Sequence, residues 1–182
     1  MRVIAHQPLA TVRMAHISEA AGMSAGHILY YFGSKDRLLL DAIIWNEERM
    51  ARRRRLELPQ IEGATDRLRR LIEIEAPTAR LDPFWLLWFH ILARQAKDEE
   101  LQRAIAHVEM AWVLDVADIV RYGIKRGEFA SVEPDDFAVR FMAFLDGLAV
   151  NVVTGSTRIT RAHMLKMAME TAARELELPH TD

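Results

Sequence analysis

The sequence has 182 residues, 51% of them hydrophobic, a formal net charge of −2 and no cysteine. This length accommodates a small domain joined to a larger one. The absence of cysteine excludes a disulfide framework and a thiolate metal site. Because the chain has neither an apolar run of about 18 residues nor an N-terminal signal segment, we expect a cytoplasmic protein without a membrane span.

The charge differs between the two parts of the chain. Residues 1–55 contain nine Lys and Arg against five Asp and Glu, a net charge of +4. Residues 56–182 contain fifteen against twenty-one, a net charge of −6. This asymmetry indicates that the N-terminal part approaches a polyanion such as DNA.

Apolar residues recur at helical spacing along the chain, and glycine and proline separate the helical segments. No alternating β-branched stretch indicates a strand, so we expect an all-α fold. The N-terminal part is predicted to contain helices at residues 13–21, 25–32 and 35–56. Thr11 is a candidate cap for the first helix and a candidate DNA contact, whereas Ser24 and Ser34 precede the next two helices at the position that favours serine.

The remainder is predicted to form five helices, at residues 66–76, 84–96, 98–126, 134–154 and 161–178. Thr65, Asp82 and Thr160 stand at the expected N-cap positions of the first, second and last of these helices. The sequence thus predicts a small N-terminal domain at residues 1–45 and a larger helical domain at residues 46–182.

Residues 22–24 join two short helices in the manner of a helix-turn-helix unit. Met23 is expected to fill the space between the two helices. The second helix of such a unit enters the major groove of DNA by its N-terminal end. Small residues permit close approach there, and polar ones can bind phosphates or base edges. The residues at that end are Ser24, Ala25, Gly26 and His27.

Three residues further along are candidate phosphate contacts, namely Tyr30, Tyr31 and Lys35. One tyrosine ring is expected to pack inward while the other presents its hydroxyl group at the surface. Lys35 lies at the N-terminus of the third helix, where free backbone N–H groups also attract phosphate.

The segment from Ile17 to Leu39 resembles the DNA-binding signature of the TetR family of transcriptional regulators. The resemblance rests on an Ala-Gly-Met-Ser turn, a glycine two residues later, Tyr-Tyr-Phe, and a lysine shortly before Leu-Leu. It implies a homodimer that binds a near-palindromic operator in double-stranded DNA and is released by a small-molecule effector. It also implies phosphate contacts by Tyr31 and Lys35. The residues that it places against bases are Ser24, Ala25 and His27.

The chain departs from the TetR pattern at its start, where only seven residues precede Pro8 and the first helix is short. Either the chain start is truncated or incorrectly assigned, or DNA binding is impaired. The alternative function is therefore a dimeric small-molecule-binding helical protein that has lost DNA binding. A run of four arginines, Arg52–Arg55, is either a second DNA contact or a solvated helix face.

The larger domain is rich in aromatic residues, which either fill its core or line a ligand cavity between helices. Its Trp-x-x-Trp-Phe helix and Asp146-Gly147-Leu148 are similar to the C-terminal domain of the BetI-like, choline-responsive branch of the family. This resemblance implies an effector with a quaternary ammonium group, which aromatic rings attract. The candidate pocket residues are Trp85, Trp88, Phe89, Trp112, Phe141 and Phe144.

The last two helices carry more apolar surface than one neighbour can cover, because residues 137–153 are apolar nearly all round. Two such helices per chain predict a four-helix bundle between two copies. The candidate interface residues are Phe144, Leu148, Val152, Leu165, Ala168, Met169 and Ala172. Asp146 and Asn151, polar residues in the same helix, are expected to form hydrogen bonds between helices.

The sequence contains none of the common catalytic or metal-binding motifs, such as His-Glu-x-x-His, a phosphate-binding loop or Gly-x-Ser-x-Gly. We therefore expect no enzymatic activity, metal or cofactor. The function predicted from the sequence is a ligand-responsive transcriptional regulator that acts as a repressor.

Overall fold

The computed structural model describes residues 3–4, 11–95, 99–156 and 158–178. Within these residues it contains eight α-helices and no strand, which confirms the predicted all-α fold. In chain order the helices are α1 Met14–Ala21, α2 Ala25–Phe32, α3 Lys35–Glu57, α4 Ala64–Glu75, α5 Pro83–Gln95, α6 Glu99–Arg126, α7 Pro134–Thr154 and α8 Arg161–Leu176. A 3-10 turn, Leu58–Gln60, follows α3. The short segment predicted before Pro8 lies mostly outside the described residues.

Polar side chains define the N-termini of several helices, as the sequence predicts. Ser24 Oγ accepts a hydrogen bond from the backbone N–H of His27 at 3.1 Å, and Thr160 caps α8 in the same way at 3.2 Å. Asp82 caps α5 by accepting a hydrogen bond from the N–H of Phe84 at 2.9 Å. Each such cap contributes about 1 kcal/mol to helix stability.

Two of the predicted caps are wrong. The N-cap of α1 is Arg13 rather than Thr11. Helix α4 begins at Ala64, whose N–H donates to a carboxylate oxygen of Glu128 at 2.6 Å, so that Thr65 lies within the first turn. The carboxylate that takes the place of a local cap is 64 residues away in the sequence, beyond the reach of a local pattern.

The helices form two compact units. The first comprises Met1–Glu48 and Leu81–Ala106, and the second comprises Arg49–Arg80 and His107–Asp182. The first unit therefore contains the helix-turn-helix segment together with α5, which is distant in sequence. The functional division that the sequence places after residue 45 stays a prediction.

The core of the first unit comes mainly from α3, α5 and the start of α6. Helix α1 buries no side chain, and α2 buries only Ile28. The other buried apolar residues of this unit are Ile4, Val12, Leu39, Leu40, Ile43, Trp85, Leu87, Trp88, Ile91, Leu101 and Ile105. The two short helices are thus attached to the core through few apolar contacts.

In the second unit, α8 packs against both α7 and α4. The largest fully buried side chains of the second unit are Leu68, Leu71, Ile72, Val116, Phe137, Leu145, Met164 and Leu176. Helix α7 is long and apolar enough to cross a membrane by length and composition, with a mean hydropathy of 1.5. However, half of this apolar window is buried within the chain, as in the core helix of a folded domain.

Candidate DNA-binding and effector-binding sites

The N-terminal end of α2 presents a small, open surface. Ala25 is half-buried, whereas Gly26 and His27 are exposed. No atom lies within 4 Å of the place where a Cβ at Gly26 would be, so the backbone is accessible there. Ser24 accepts the capping hydrogen bond and keeps its O–H as a donor, and the exposed His27 is a second side chain of this turn that can bind a base edge.

The structure corrects two expectations about the helix-turn-helix unit. Met23 is 41% exposed and does not fill the space between the helices. Tyr30 and Tyr31 are 83% and 67% exposed, so neither ring packs inward. The ring of Tyr31 contacts both neighbours, with centroids 5.0 Å from His27 and 5.4 Å from Tyr30. His27, Tyr30 and Tyr31 therefore form one exposed aromatic cluster on α2.

Two further candidate DNA contacts, Lys35 and Thr11, lie outside α2. Lys35 is half-buried, and its Nζ donates a hydrogen bond to the backbone carbonyl of Val12 at 3.0 Å. An ammonium group has three N–H donors, so this bond leaves others for a phosphate oxygen. Thr11 is exposed, and its role in DNA contact stays a prediction.

A half-buried histidine that sequence reasoning did not single out lies in the same unit. His90 in α5 has a buried Nε2 atom with no hydrogen-bond partner among the described residues. Burial, and then the positive charges of Arg94 and Lys35, lower the pKa of His90, while Asp36 opposes them. Arg94 also forms an ion pair with Asp36 at 2.6 Å. The end of α5 is thus linked to the first turn of α3, which contains Lys35.

The six aromatic residues predicted to line an effector pocket are divided between the two units. Trp85, Trp88 and Phe89 belong to the first unit, where the rings of Trp85 and Phe89 lie 5.7 Å apart. Trp112, Phe141 and Phe144 belong to the second unit. All six are buried or half-buried, and their role in effector binding stays a prediction.

The arginine run at the end of α3 contains one residue whose environment the sequence did not reveal. Arg52, Arg53 and Arg55 are exposed, as a solvated face requires. Arg54 is only 2% exposed, and its Nε donates to Asp115 at 2.5 Å. Its guanidinium group also lies 3.6 Å above the ring of Trp112. The chain's own cation therefore covers a face of this predicted pocket residue.

Four of the seven predicted interface residues are already buried within a single chain. Leu148, Val152, Ala168 and Ala172 are buried by the helices of the second unit. Phe144, Leu165 and Met169 are half-buried and stay candidates for an interface. The four buried residues supply intrachain packing, because α7 and α8 cover each other's apolar faces.

A different face of α7 is open. The exposed residues Val139, Ala143, Gly147 and Val150 recur at helical spacing, and we call them the α7 stripe. A Cβ at Gly147 would meet no atom within 4 Å. Small residues such as Ala143 and Gly147 allow another helix to approach closely, so this stripe suits helix packing.

Among the described residues, Asp146 and Asn151 form no hydrogen bond to another helix, contrary to the prediction. Asn151 Nδ2 donates to the carbonyl of Gly147 in the same helix at 2.7 Å. Asp146 is exposed on the single chain, yet desolvation by the surrounding protein, and then the negative charge of Glu109, raise the pKa of Asp146 to about 6. A carboxyl group that is half protonated at about pH 6 thus lies beside the α7 stripe.

Metal binding has no evident basis in the part of the chain that the structure describes, where no group of three or more His, Cys, Asp or Glu residues comes together.

Two family models match the chain. Residues 1–42 match the tetR family of bacterial regulatory proteins, and residues 64–177 match the C-terminal domain of BetI-type transcriptional repressors. A search of curated protein sequences finds no significant match.

Solved structures with the same architecture include several bacterial and archaeal regulators. A transcriptional regulator from Saccharomonospora viridis, in complex with choline, is 28% identical with a TM-score of 0.89, over 98% of this chain and 93% of that one. A TetR-family regulator from a Rhodococcus species is 25% identical with a TM-score of 0.76, over 96% and 92% of the two chains. A TetR regulator from Haloarcula marismortui, 17% identical with a TM-score of 0.77 over 97% and 91%, shares the fold.

Proposed function

The chain belongs to the TetR family of bacterial transcriptional regulators, with a BetI-type C-terminal domain, and we propose that it is a repressor released from DNA by a small cationic effector. It is a regulator rather than an enzyme, like the proteins that it resembles. In the proposed mechanism, a homodimer in the cytoplasm binds a near-palindromic operator, and the effector stabilises a conformation with lower affinity for DNA.

The observation that carries the proposal is the exposed N-terminal turn of α2. Helix α2 combines an accessible backbone at Gly26 in this turn with an exposed aromatic cluster of His27, Tyr30 and Tyr31. Imidazole and phenol groups can bind base edges and phosphate oxygens. Since residues 1–55 carry a net charge of +4, the same part of the chain is attracted to the DNA backbone.

Fluorescence anisotropy with the duplex upstream of the protein's own gene tests DNA binding. We expect tighter binding than to a random duplex of equal length, with an affinity that falls as salt rises. Lys35→Gln should weaken binding and reduce the slope of log affinity against log salt by about one, as expected for the loss of one phosphate contact. Arg37→Gln is the matched control, because Arg37 is paired with Asp41 at 3.2 Å. Equal affinity for both duplexes contradicts the proposal.

The proposed effector is a quaternary ammonium compound of the choline class. Two features support this choice, namely the choline bound to the Saccharomonospora viridis regulator and the aromatic side chains of α5. The faces of aromatic rings attract cations, and this attraction is strongest when water is excluded. The contact proposed for this chain is made by Trp85, Trp88 and Phe89.

Isothermal titration calorimetry with choline tests the effector class. We expect saturable binding of choline and none of 3,3-dimethyl-1-butanol, which has the same shape without the charge. Phe89→Ala should weaken choline binding about tenfold. Phe84→Ala on the same helix, also half-buried, should leave it unchanged. An absence of heat with choline, or equal binding of the neutral analogue, rules out a quaternary ammonium effector.

A further inference from the structure

A cavity of about 370 Å³ lies in the second unit, among the end of α3, the 3-10 turn, α4 and α6. Three of its eight lining residues are arginines and two are aspartates. The lining residues are Arg54, Arg55, Leu58, Pro59, Arg67, Asp115, Asp118 and Ile119. None of the residues that we propose for DNA or choline binding takes part.

Arg54 is the buried member of this lining. Its Nε donates to Asp115 at 2.5 Å, and its guanidinium plane covers the ring of Trp112. Its Nη1 atom is fully buried and has no acceptor among the described residues. A buried donor without an acceptor destabilises the folded state. An acceptor from outside the chain would remove this loss if it reached Nη1 from the cavity that Arg54 lines.

The charges around the cavity favour an anionic acceptor. Asp115 is paired with Arg54, and Asp118 is paired with Arg121 at 2.9 Å. Arg67 donates to the backbone carbonyl of Ile61 at 2.5 Å and stacks over a tyrosine ring, without an ion pair among the described residues. Arg55 is exposed and likewise has no ion pair within the described part of the chain. The cavity therefore has two ion-paired carboxylates, of which Asp118 shares Arg121 with Asp135, and two guanidinium groups without an ion pair among the described residues.

A second cavity, of about 480 Å³ between α4 and α8, lacks this imbalance. Its charged lining residues are paired, since Arg69 lies 3.8 Å from Asp66 and Lys166 lies 3.8 Å from Glu170. Glu73, also in that lining, pairs with Arg70 at 2.7 Å. An excess of unpaired positive charge thus distinguishes the first cavity.

We propose that the cavity at Arg54 binds a small oxyanion, that is, a molecule with a carboxylate or phosphate group. Arg54 Nη1 donates a hydrogen bond to one oxygen, and Arg55 and Arg67 neutralise the charge. The planar guanidinium group matches the geometry of both kinds of oxyanion. Because the end of α3 and the middle of α6 both line the cavity, the bound anion also links these two helices within the second unit.

Calorimetry on the full chain with succinate and with inorganic phosphate, at constant ionic strength in chloride, tests the proposal. We expect one of the two anions to bind with a stoichiometry of one per chain. Binding of succinate alone identifies a carboxylate site, and binding of phosphate alone identifies a phosphate site. Arg55→Gln and Arg67→Gln should each raise the dissociation constant about tenfold.

Arg52→Gln is the matched control, because Arg52 is an exposed arginine of the same run that does not line the cavity. It should leave binding unchanged, and circular dichroism should show that all three variants remain folded. A crystal structure of the complex should place an anion oxygen within hydrogen-bond distance of Arg54 Nη1. The proposal is overturned if neither anion binds, if Arg52→Gln weakens binding as much as the other variants, or if a water molecule occupies that position.

Discussion

At the residue scale, the molecule shows how one side chain can differ from its neighbours in an otherwise uniform sequence. Four consecutive arginines look alike in the sequence, yet Arg54 alone among them is buried, against Trp112 and Asp115. Removing one partner of a buried ion pair leaves an uncompensated charge. The identity of the partner, rather than the local sequence, therefore determines the role of each arginine.

Gly123 in α6 lies so close to the ring of Phe129 that no side chain fits at this position. A Cβ at this position would lie 2.2 Å from the ring of Phe129, which is itself buried. We expect Gly123→Ala to destabilise the protein by about 1–3 kcal/mol, because the ring must move in a packed core. Gly26→Ala, where a Cβ meets no atom within 4 Å, is the control. Urea unfolding measures both free energies, and equal effects would contradict this account of Gly123.

The carboxyl group of Asp146 is expected to make stability depend on pH. Its pKa is about 6 in the folded chain, against an ordinary value of 3.8. The folded state therefore binds this proton more tightly, and its contribution to stability is present below about pH 4 and is lost as the pH rises through 6. Since the side chain is exposed, solvent screening limits the size of the effect.

Asp146→Asn, which resembles the protonated acid, should gain stability relative to the wild type as the pH rises from 4 to 7. Asp136→Asn, at the exposed start of the same helix, should follow the wild-type profile. The measurement is the free energy of unfolding in urea across this pH range at one protein concentration. A constant difference between Asp146→Asn and the wild type means that Asp146 does not titrate there.

At the element scale, helix α2 is attached to the rest of the first unit through one buried apolar side chain. Helix α1 buries nothing and α2 buries only Ile28, at 3% exposure. Regular caps and a left-handed glycine define these helices locally, since Gly22 has a φ of 66° at the end of α1. Their attachment to the rest of the first unit is a separate matter, because it requires burial against other helices.

Ile28→Ala should therefore detach or loosen α1 and α2 at a cost of about 2–5 kcal/mol. Hydrogen exchange should show faster exchange of the amides of these two helices, and operator binding should be lost. Leu29→Ala changes a 40% exposed neighbour and should alter local stability by about 0.5 kcal/mol or less. Similar exchange rates in the two variants would mean that Ile28 is not the anchor.

At the scale of the whole molecule, the chain has two exposed surfaces of different character. The basic N-terminal part carries the exposed aromatic cluster of α2, and the acidic remainder carries the α7 stripe. Homodimerisation stays a prediction, and the structure shifts its proposed location. An interface through the α7 stripe uses residues that are open in one chain, whereas Leu148, Val152, Ala168 and Ala172 are already covered.

Multi-angle light scattering at micromolar concentration should therefore give twice the chain mass of 20.9 kDa. Ala143→Arg places a long charged side chain on the α7 stripe, and we expect it to yield a monomer because a buried unpaired charge is costly. Ser131→Arg, at an exposed position outside α7, adds the same charge and should remain dimeric. A wild-type monomer excludes the proposed dimer, and a dimeric Ala143→Arg places its interface elsewhere.

The sequence by itself determined the helical class, most helix boundaries and the position of the helix-turn-helix segment. Caps, glycine turns and apolar spacing act over a few residues, so their effects can be read locally. The predicted start of α2 after Ser24 and the ends of α1 and α2 at Gly22 and Gly33 agree with the structure for this reason.

The tertiary structure alone decided which side chains are covered. It exposed Met23 and both tyrosines of α2, and it buried Arg54 and four of the seven predicted interface residues of α7 and α8. Burial depends on which distant helices pack together, and an apolar stripe has the same spacing whether a neighbouring helix or a second chain covers it. For the same reason, the cavity that we propose to bind an oxyanion at Arg54 has no sequence signature, because its lining residues come from four separate elements.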